Sequence, residues 1–337
     1  MASIIDTGLT LAAGINAQFN QVFAVERGRA FITEFATYIQ SSSQVELFRF
    51  MGTVPAMRLM GHGRESKAIR SEQYMVKNQE YELTIAVDRN EREDDQTGQI
   101  GLKVQEMATR AAQHPDDLMA QVLILGGTTD PTGTDYNGAV PVALGYDGLS
   151  LFNTAHVSGA SGNQSNDLST TITDTSTYLG TVAEWRDIIR KMMQQLMSFK
   201  DDQGYPAWSG RMDSLKLLVH PFNFFAAREA ATAAILAQTS NTTANMVEVV
   251  PYQWLVTHAL KIGSGNEPYG YSYLVDTGAA VKPIIHQMRT PLQFQALEEG
   301  SEHTFKTGEF LYGVRGRYAV APGKWQTIVR HRNASDI

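Results

Sequence analysis

The chain has 337 residues, 43% of them hydrophobic, with 28 Lys+Arg against 35 Asp+Glu for a net charge of −7, and it has no cysteine. That length supports a large buried core in more than one lobe without covalent staples. The missing cysteine excludes disulfides, thiolate metal sites and cysteine nucleophiles, and the acidic balance argues against a dedicated nucleic-acid binder. No apolar run approaches the roughly 20 residues of a membrane span. The start, Met1 to Thr7, lacks the basic and apolar stretches of a signal peptide, which predicts synthesis in a bacterial-type cytoplasm.

Residues 1–50 mix small, polar and apolar side chains, punctuated by Gly8, Gly14 and Gly28. They predict an extended arm that packs on something else, with a short helix between Ala24 and Tyr38. Residues 51–90 change character. The run from Tyr74 to Asp88 alternates, placing Tyr81, Leu83, Ile85 and Val87 on one face, as a half-buried strand does. Paired with the stretch around Met57 to Lys67, it predicts a long hairpin with a basic tip formed by Arg58, Arg64, Lys67 and Arg70.

The acidic turn Glu91 to Asp95 then leads into a helix from about Thr97 to Leu125, with Ile100, Val104, Met107, Ala108, Ala111 and Ala112 at helical spacing. The acids are expected to cap its start, and Pro115 to kink it or force a restart. Residues 128–179 are rich in Gly, Ser, Thr, Asn and Asp and predict loops. The capping box Thr181 to Glu184 opens a second helix whose stripe is Val182, Trp185, Ile188, Ile189, Met192, Met193 and Leu196. A strand over 215–219 runs into a third helix with Pro221 in its first turn. Strands follow near 246–250, 271–276, 281–288, 304–311, 316–321 and 325–331.

Chemistry is sparse. The eight histidines stand singly, with no H-E-x-x-H and no pair at ligand spacing. His114 beside Asp116 and Asp117 is half a metal site at most, and helix capping explains it better. No phosphate loop, dinucleotide fingerprint or nucleophile elbow occurs. Ser158, two residues after His156, is the one hydrolase temptation, on a loop without oxyanion architecture. The acidic clusters Glu91–Asp95 and Asp201–Asp202 read as solvated turns. No catalytic residue, cofactor or metal is therefore expected. One charge bias remains: Arg315, Arg317, Lys324 and Arg330 belong to a C-terminal basic strip that faces either DNA or the acids of a neighbouring subunit.

The run from Glu82 to Gln99, a strand ending in Val87-Asp-Arg89 and passing through an acidic turn, resembles a stretch of the Mu-like prophage major head subunit family. So do His114-Pro-Asp116, Tyr146-Asp-Gly148 before Leu151-Phe-Asn-Thr-Ala-His156, Tyr312-Gly-Val-Arg-Gly-Arg317 and Gly323-Lys-Trp-Gln326. The resemblance implies the α+β tailed-phage and herpesvirus capsid fold. Its parts would be an N-terminal arm (1–50), an extended β-hairpin loop (51–90), a peripheral domain with a spine helix (91–145) and an axial domain (146–300). The C-terminal strands (301–337) would return to the peripheral domain. It further implies a non-enzymatic major capsid protein that self-assembles into hexamers and pentamers of an icosahedral head around phage double-stranded DNA. Assembly would take place in the host bacterial cytoplasm, with scaffolding and decoration proteins as further partners, non-specific DNA contact and no membrane. Arg58, Arg64, Lys67 and Arg70 would then touch a neighbouring subunit. An encapsulin-like nanocompartment shares the fold and is the nearest alternative. A cytosolic hydrolase using His156 and a nearby serine is the alternative of another class.

Overall fold

The computed structural model describes residues 4–48, 74–94, 98–127, 144–173, 179–208, 210–236, 239–259 and 270–334. Helix α1 (Ile4–Arg29) runs into α2 (Ile32–Phe35) and strand β1 (Ala36–Gln40). Strands β2 (Val45–Phe48) and β3 (Tyr74–Lys77) form an antiparallel ribbon at the base of residues 49–73, and β4 (Gln79–Asp88) follows. Helix α3 (Arg89–Glu93) precedes the 27-residue α4 (Gln99–Leu125), about 40 Å long. Beyond it come the small hairpin β5 (His156–Val157) and β6 (Asn163–Gln164), then β7 (Asp167–Thr171) and α5 (Val182–Ser198). Next are β8 (Leu215–Val219), α6 (Phe224–Thr232), the pair β9 (Ile235–Leu236) and β10 (Thr239–Ser240), β11 (Glu248–Pro251) and α7 (Trp254–Ala259). The chain closes with β12 (Tyr271–Asp276), β13 (Ile284–Leu297), α8 (Glu302–Thr307), β14 (Glu309–Pro322) and β15 (Ile328–Ala334).

Two sheets organise these elements. One has the order β1-β13-β14-β4, with β1 parallel to β13 and the rest antiparallel; the other is the mixed sheet β11-β8-β12-β15-β7. Each has its own core. Ile15 and Phe19 of α1 meet Val104, Met107, Ala108 and Ala111 of α4 over Val87, Phe310, Tyr312 and Val314 of the first sheet. The larger core packs the α5 stripe and the second half of α4, Met119 to Ile124, against the second sheet. Burying side chains of the α5 type contributes about 2 kcal/mol each, so this stripe drives the docking. Leu118, Met288 and Tyr318 form a small cluster of their own. Helix α4 and strands β13 and β14 therefore serve both cores.

The elements found by periodicity hold best. The α5 stripe is buried, and the capping box is formed in full, with Thr181 Oγ1 accepting from Glu184 N–H and Glu184 receiving the Thr181 N–H. Its N–H and hydroxyl partners outweigh burial and hold the Glu184 carboxyl down at about 2. Strand β4 alternates as expected, Tyr81 to Val87 facing inward.

Several expectations are corrected. The N-terminal segment is no extended arm, because α1 is a long helix whose Ile15 and Phe19 are buried on α4. The run from Tyr74 to Asp88 divides at Asn78, and its β4 half pairs with β14 instead of a hairpin partner. Among the described residues no acid caps α4: Asp88 caps α3, while α4 starts at Gly98, whose φ of 71° suits a residue without Cβ. Helix α4 runs on through the buried Pro115, so the restart, one of the two outcomes expected there, does not occur. The strand expected over 304–311 begins only at Glu309, since Glu302 to Thr307 are the helix α8, and β15 joins the five-stranded sheet and not the sheet of β13 and β14.

Candidate assembly surfaces

The β2–β3 ribbon is braced from its base. Glu46 Oε1 accepts from Ser42 N–H at 2.8 Å, Ser43 N–H at 3.1 Å and the Ser41 hydroxyl at 2.8 Å, which holds its carboxyl below the usual range. Asn78 donates to Ser41 Oγ at 2.9 Å and accepts from the buried Gln287 amide of β13 at 2.9 Å. The Tyr74 hydroxyl donates to the Pro322 carbonyl at 2.8 Å, and burial pushes its ionisation far up. The ribbon's inward face is Phe48, Tyr74 and Val76. Its outward face is largely apolar, with Lys77 opposite Val45 and Leu47 opposite Met75, and Val45, Leu47 and Met75 are 41%, 38% and 65% exposed. A two-stranded ribbon is marginal in water, and an apolar outer face adds to the demand for a cover. The basic residues Arg58, Arg64, Lys67 and Arg70, expected at a hairpin tip, lie outside the described residues.

The C-terminal basic residues do not form one strip. Arg315 and Arg317 lie on β14, where Arg315 is half exposed and ion-paired with Glu80 of β4. Lys324 is partly buried, and burial lowers its pKa, while Asp201 and Asp202 pull the other way. Arg330 is a correction: it is buried in the other sheet. Its Nε and Nη2 donate to the two Asp167 oxygens at 2.9 and 2.8 Å, with side chains 4% and 7% exposed. Its guanidinium lies 4.7 Å over the Phe152 ring and 5.3 Å over Tyr271. Burial alone would lower its pKa, but Asp167 more than offsets that. Gly127 touches the guanidinium so closely that a Cβ would sit 2.1 Å from both terminal nitrogens. No sequence signal pairs Arg330 with Asp167, since 163 residues separate them.

The histidines and acids that invited chemistry have structural partners. His156 is fully buried, stacked 4.4 Å from Trp325, with Nδ1 2.5 Å from Asp147 Oδ2 and Nε2 3.3 Å from the Leu151 carbonyl. Both nitrogens face protein oxygens, so neither is left for a serine hydroxyl, and Ser158 is buried with its N–H given to Ser161 Oγ. That geometry overturns the hydrolase reading. His114 Nδ1 meets the Tyr318 hydroxyl at 2.6 Å instead of joining Asp116. Asp116 reaches across to α2, accepting from Ile32 N–H at 2.7 Å and Phe31 N–H at 3.1 Å, and burial raises its carboxyl to about 6. Among the described residues, no group of three or more His, Asp or Glu is placed to hold a metal ion, and no helix is long and apolar enough to cross a membrane.

Comparison with known proteins follows the fold. The FluMu Mu-like prophage major head subunit of Haemophilus influenzae is 27% identical over 154 residues, covering 45% of this chain and 46% of that protein. The major capsid protein of Escherichia phage Mu is 26% identical over 297 residues, covering 88% of this chain and 64% of that protein. The chain thus spans less than two thirds of either relative's length. Among solved structures, the procapsid of bacteriophage JBD30 superposes with a TM-score of 0.51 at 20% identity, over 97% of this chain and 76% of that one. The mature capsid of bacteriophage PhiM1 gives 0.56 at 10% identity, over 91% and 88%. At such identities the likeness establishes the phage capsid fold. The family model described as Mu-like prophage major head subunit gpT matches residues 9–184 and 259–336, three quarters of the chain, and to that family this protein belongs.

Proposed function

We propose that this chain is the shell subunit of a phage head, assembling into hexamers and pentamers of an icosahedral capsid that encloses double-stranded DNA. The observation that carries the reading is the β2–β3 ribbon: braced at its base, largely apolar on its outer face, and joined in sequence by a segment that holds Arg58, Arg64, Lys67 and Arg70. Such a surface calls for a second protein to lie on, and a neighbouring copy of an acidic chain supplies both apolar area and negative charge. In this reading residues 51–90 form the extended loop, 91–145 the peripheral spine and 146–300 the axial domain. The rest of the C-terminal segment is shared: β14 joins the peripheral sheet and β15 the axial one. Assembly takes place in the host cytoplasm, with scaffolding and decoration proteins as partners. Arg315 and Arg317 are the remaining candidates for non-specific DNA contact, because Arg330 is enclosed.

Electron microscopy of the purified protein tests this directly, with closed particles of uniform size as the expected result. Particles holding nucleic acid support a head, whereas particles holding only a cargo protein support an encapsulin-like compartment. A stable monomer at high concentration sinks both. Changing Arg58, Arg64, Lys67 and Arg70 together to Ala is expected to abolish or weaken closure. Particles of unchanged stability from that variant remove the loop from the interface.

A further inference from the structure

Helix α8 carries an aromatic side chain that the fold leaves in water. Phe305 is 91% exposed, yet the turn that presents it is heavily braced. Ser301 Oγ accepts from Thr304 N–H at 3.1 Å, and Gly308, with φ of 73°, closes the helix. The Thr304 hydroxyl meets the carbonyls of Glu298 and Glu309 at 3.2 and 3.0 Å. Below it, Glu298 pairs with Arg92 at 3.4 Å and accepts from the Tyr312 hydroxyl at 2.9 Å. A rigid polar mount holding out one phenyl ring is the form of an anchor residue, since little entropy is left to lose on docking.

A matching receptacle lies elsewhere on the same chain. Beside Pro115 lies a cavity of about 320 Å³ whose lining includes Arg27, Thr33 and Tyr38. Its walls are small or apolar: Ala111 and Ala112 of α4, Ala36 of β1, and Met288 of β13. His286 adds an aromatic wall, with Tyr38 and Tyr318 edge-on against it, and burial holds its pKa at about 4, so it is uncharged at neutral pH. A cavity of about 150 Å³ already admits benzene, so a benzyl group fits. Charge agrees as well. Of the four Glu from Glu298 to Glu309, Glu298 and Glu299 pair with Arg92 and Arg89 and Glu302 with Lys306, which leaves Glu309 as the negative charge of the tip, and Arg27 is the one charged residue lining the cavity among the described residues. Phe305 does not sit in its own cavity: Leu292 is the last β13 residue lining it, and the five further steps of extended strand to Leu297 carry the tip roughly 16 Å beyond.

We propose that Phe305 of one copy seats in the cavity beside Pro115 of a second copy. The contact joins two different surfaces of the chain and is therefore head-to-tail, the kind that closes rings or extends arrays. It rests on the shell-subunit reading and names one of the contacts by which that subunit meets its neighbour.

The absence of native cysteine makes the test clean. The double variant Thr33→Cys with Phe305→Cys, assembled and then oxidised, is expected to give a ladder of covalent oligomers on a denaturing gel, while each single variant stays monomeric. Phe305→Ala, at an exposed position, leaves the fold intact by circular dichroism and raises the concentration needed for assembly about tenfold. Particles that form from Phe305→Ala at the wild-type concentration, or from the double variant without a ladder, overturn the inference and leave the shell reading standing. If wild-type protein forms no particle at all, the shell reading fails. The same oxidation in concentrated solution then decides the contact separately, a ladder supporting it and monomer refuting it.

Discussion

Arg330 bonds both oxygens of Asp167 while its guanidinium lies over Phe152 and Tyr271, and Arg332 adds a contact to Asp167 at 3.1 Å. Removing one partner of a buried pair leaves the other charge uncompensated, which costs about 3–5 kcal/mol. Arg330→Met is therefore expected to lower the stability of the unassembled subunit by about 3 kcal/mol in urea unfolding at pH 7, the low end because Arg332 stays near Asp167. Asp116 makes the opposite kind of prediction. Burial raises its folded pKa to about 6 from an ordinary 3.8, so the folded state binds its proton more tightly than the unfolded chain. Its contribution is full below about 4 and is lost as pH rises through 6. Stability of the wild type relative to Asp116→Asn should thus rise by about 2 kcal/mol when the pH falls from 6.5 to 4.5. A difference independent of pH between the two proteins would contradict the assignment.

At the scale of elements, periodicity and caps were readable where both signals are local. Thr181 and Glu184 stand three residues apart and form their capping box without help from the rest of the fold. Thr181→Ala removes the hydroxyl that accepts the Glu184 N–H, and a thermal or urea melt should show a loss of about 1 kcal/mol. The α4 stripe was legible for the same reason. Its caps were not, because the acids at 91–94 are taken up by the separate helix α3 and the start of α4 is set by the left-handed Gly98. Asp116 likewise caps a helix 84 residues away in sequence, a partner that no spacing rule can name.

Among the described residues two main cores are joined by α4, β13 and β14, with the β2–β3 ribbon packed on the larger core and the α8 tip at the end of the β13–β14 hairpin. Both projections place apolar side chains in water, at Leu47 and Met75 and at Phe305. Leu47→Asp with Met75→Asp is expected to leave the far-ultraviolet circular dichroism unchanged and the subunit at least as soluble, while particle yield by light scattering falls to background. Normal yield would show that the ribbon's outer face is not covered by a neighbour.

The sequence by itself determined that the chain lacks thiol chemistry, where the α4 and α5 stripes run, that β4 alternates, and which family its short motifs resemble. Each of these depends on residue type or on spacing within one element. Tertiary structure alone decided that the N-terminal segment is a helix docked on α4 and that the run ending at Asp88 splits between a ribbon and a sheet. It also decided that β15 leaves β14 for the other sheet, and that one member of an apparent basic strip is a buried ion pair. Those outcomes turn on contacts between residues tens to hundreds of positions apart. Whether an arginine meets water, DNA or a buried aspartate depends on which distant strand lies beside it, and local propensity carries no term for that.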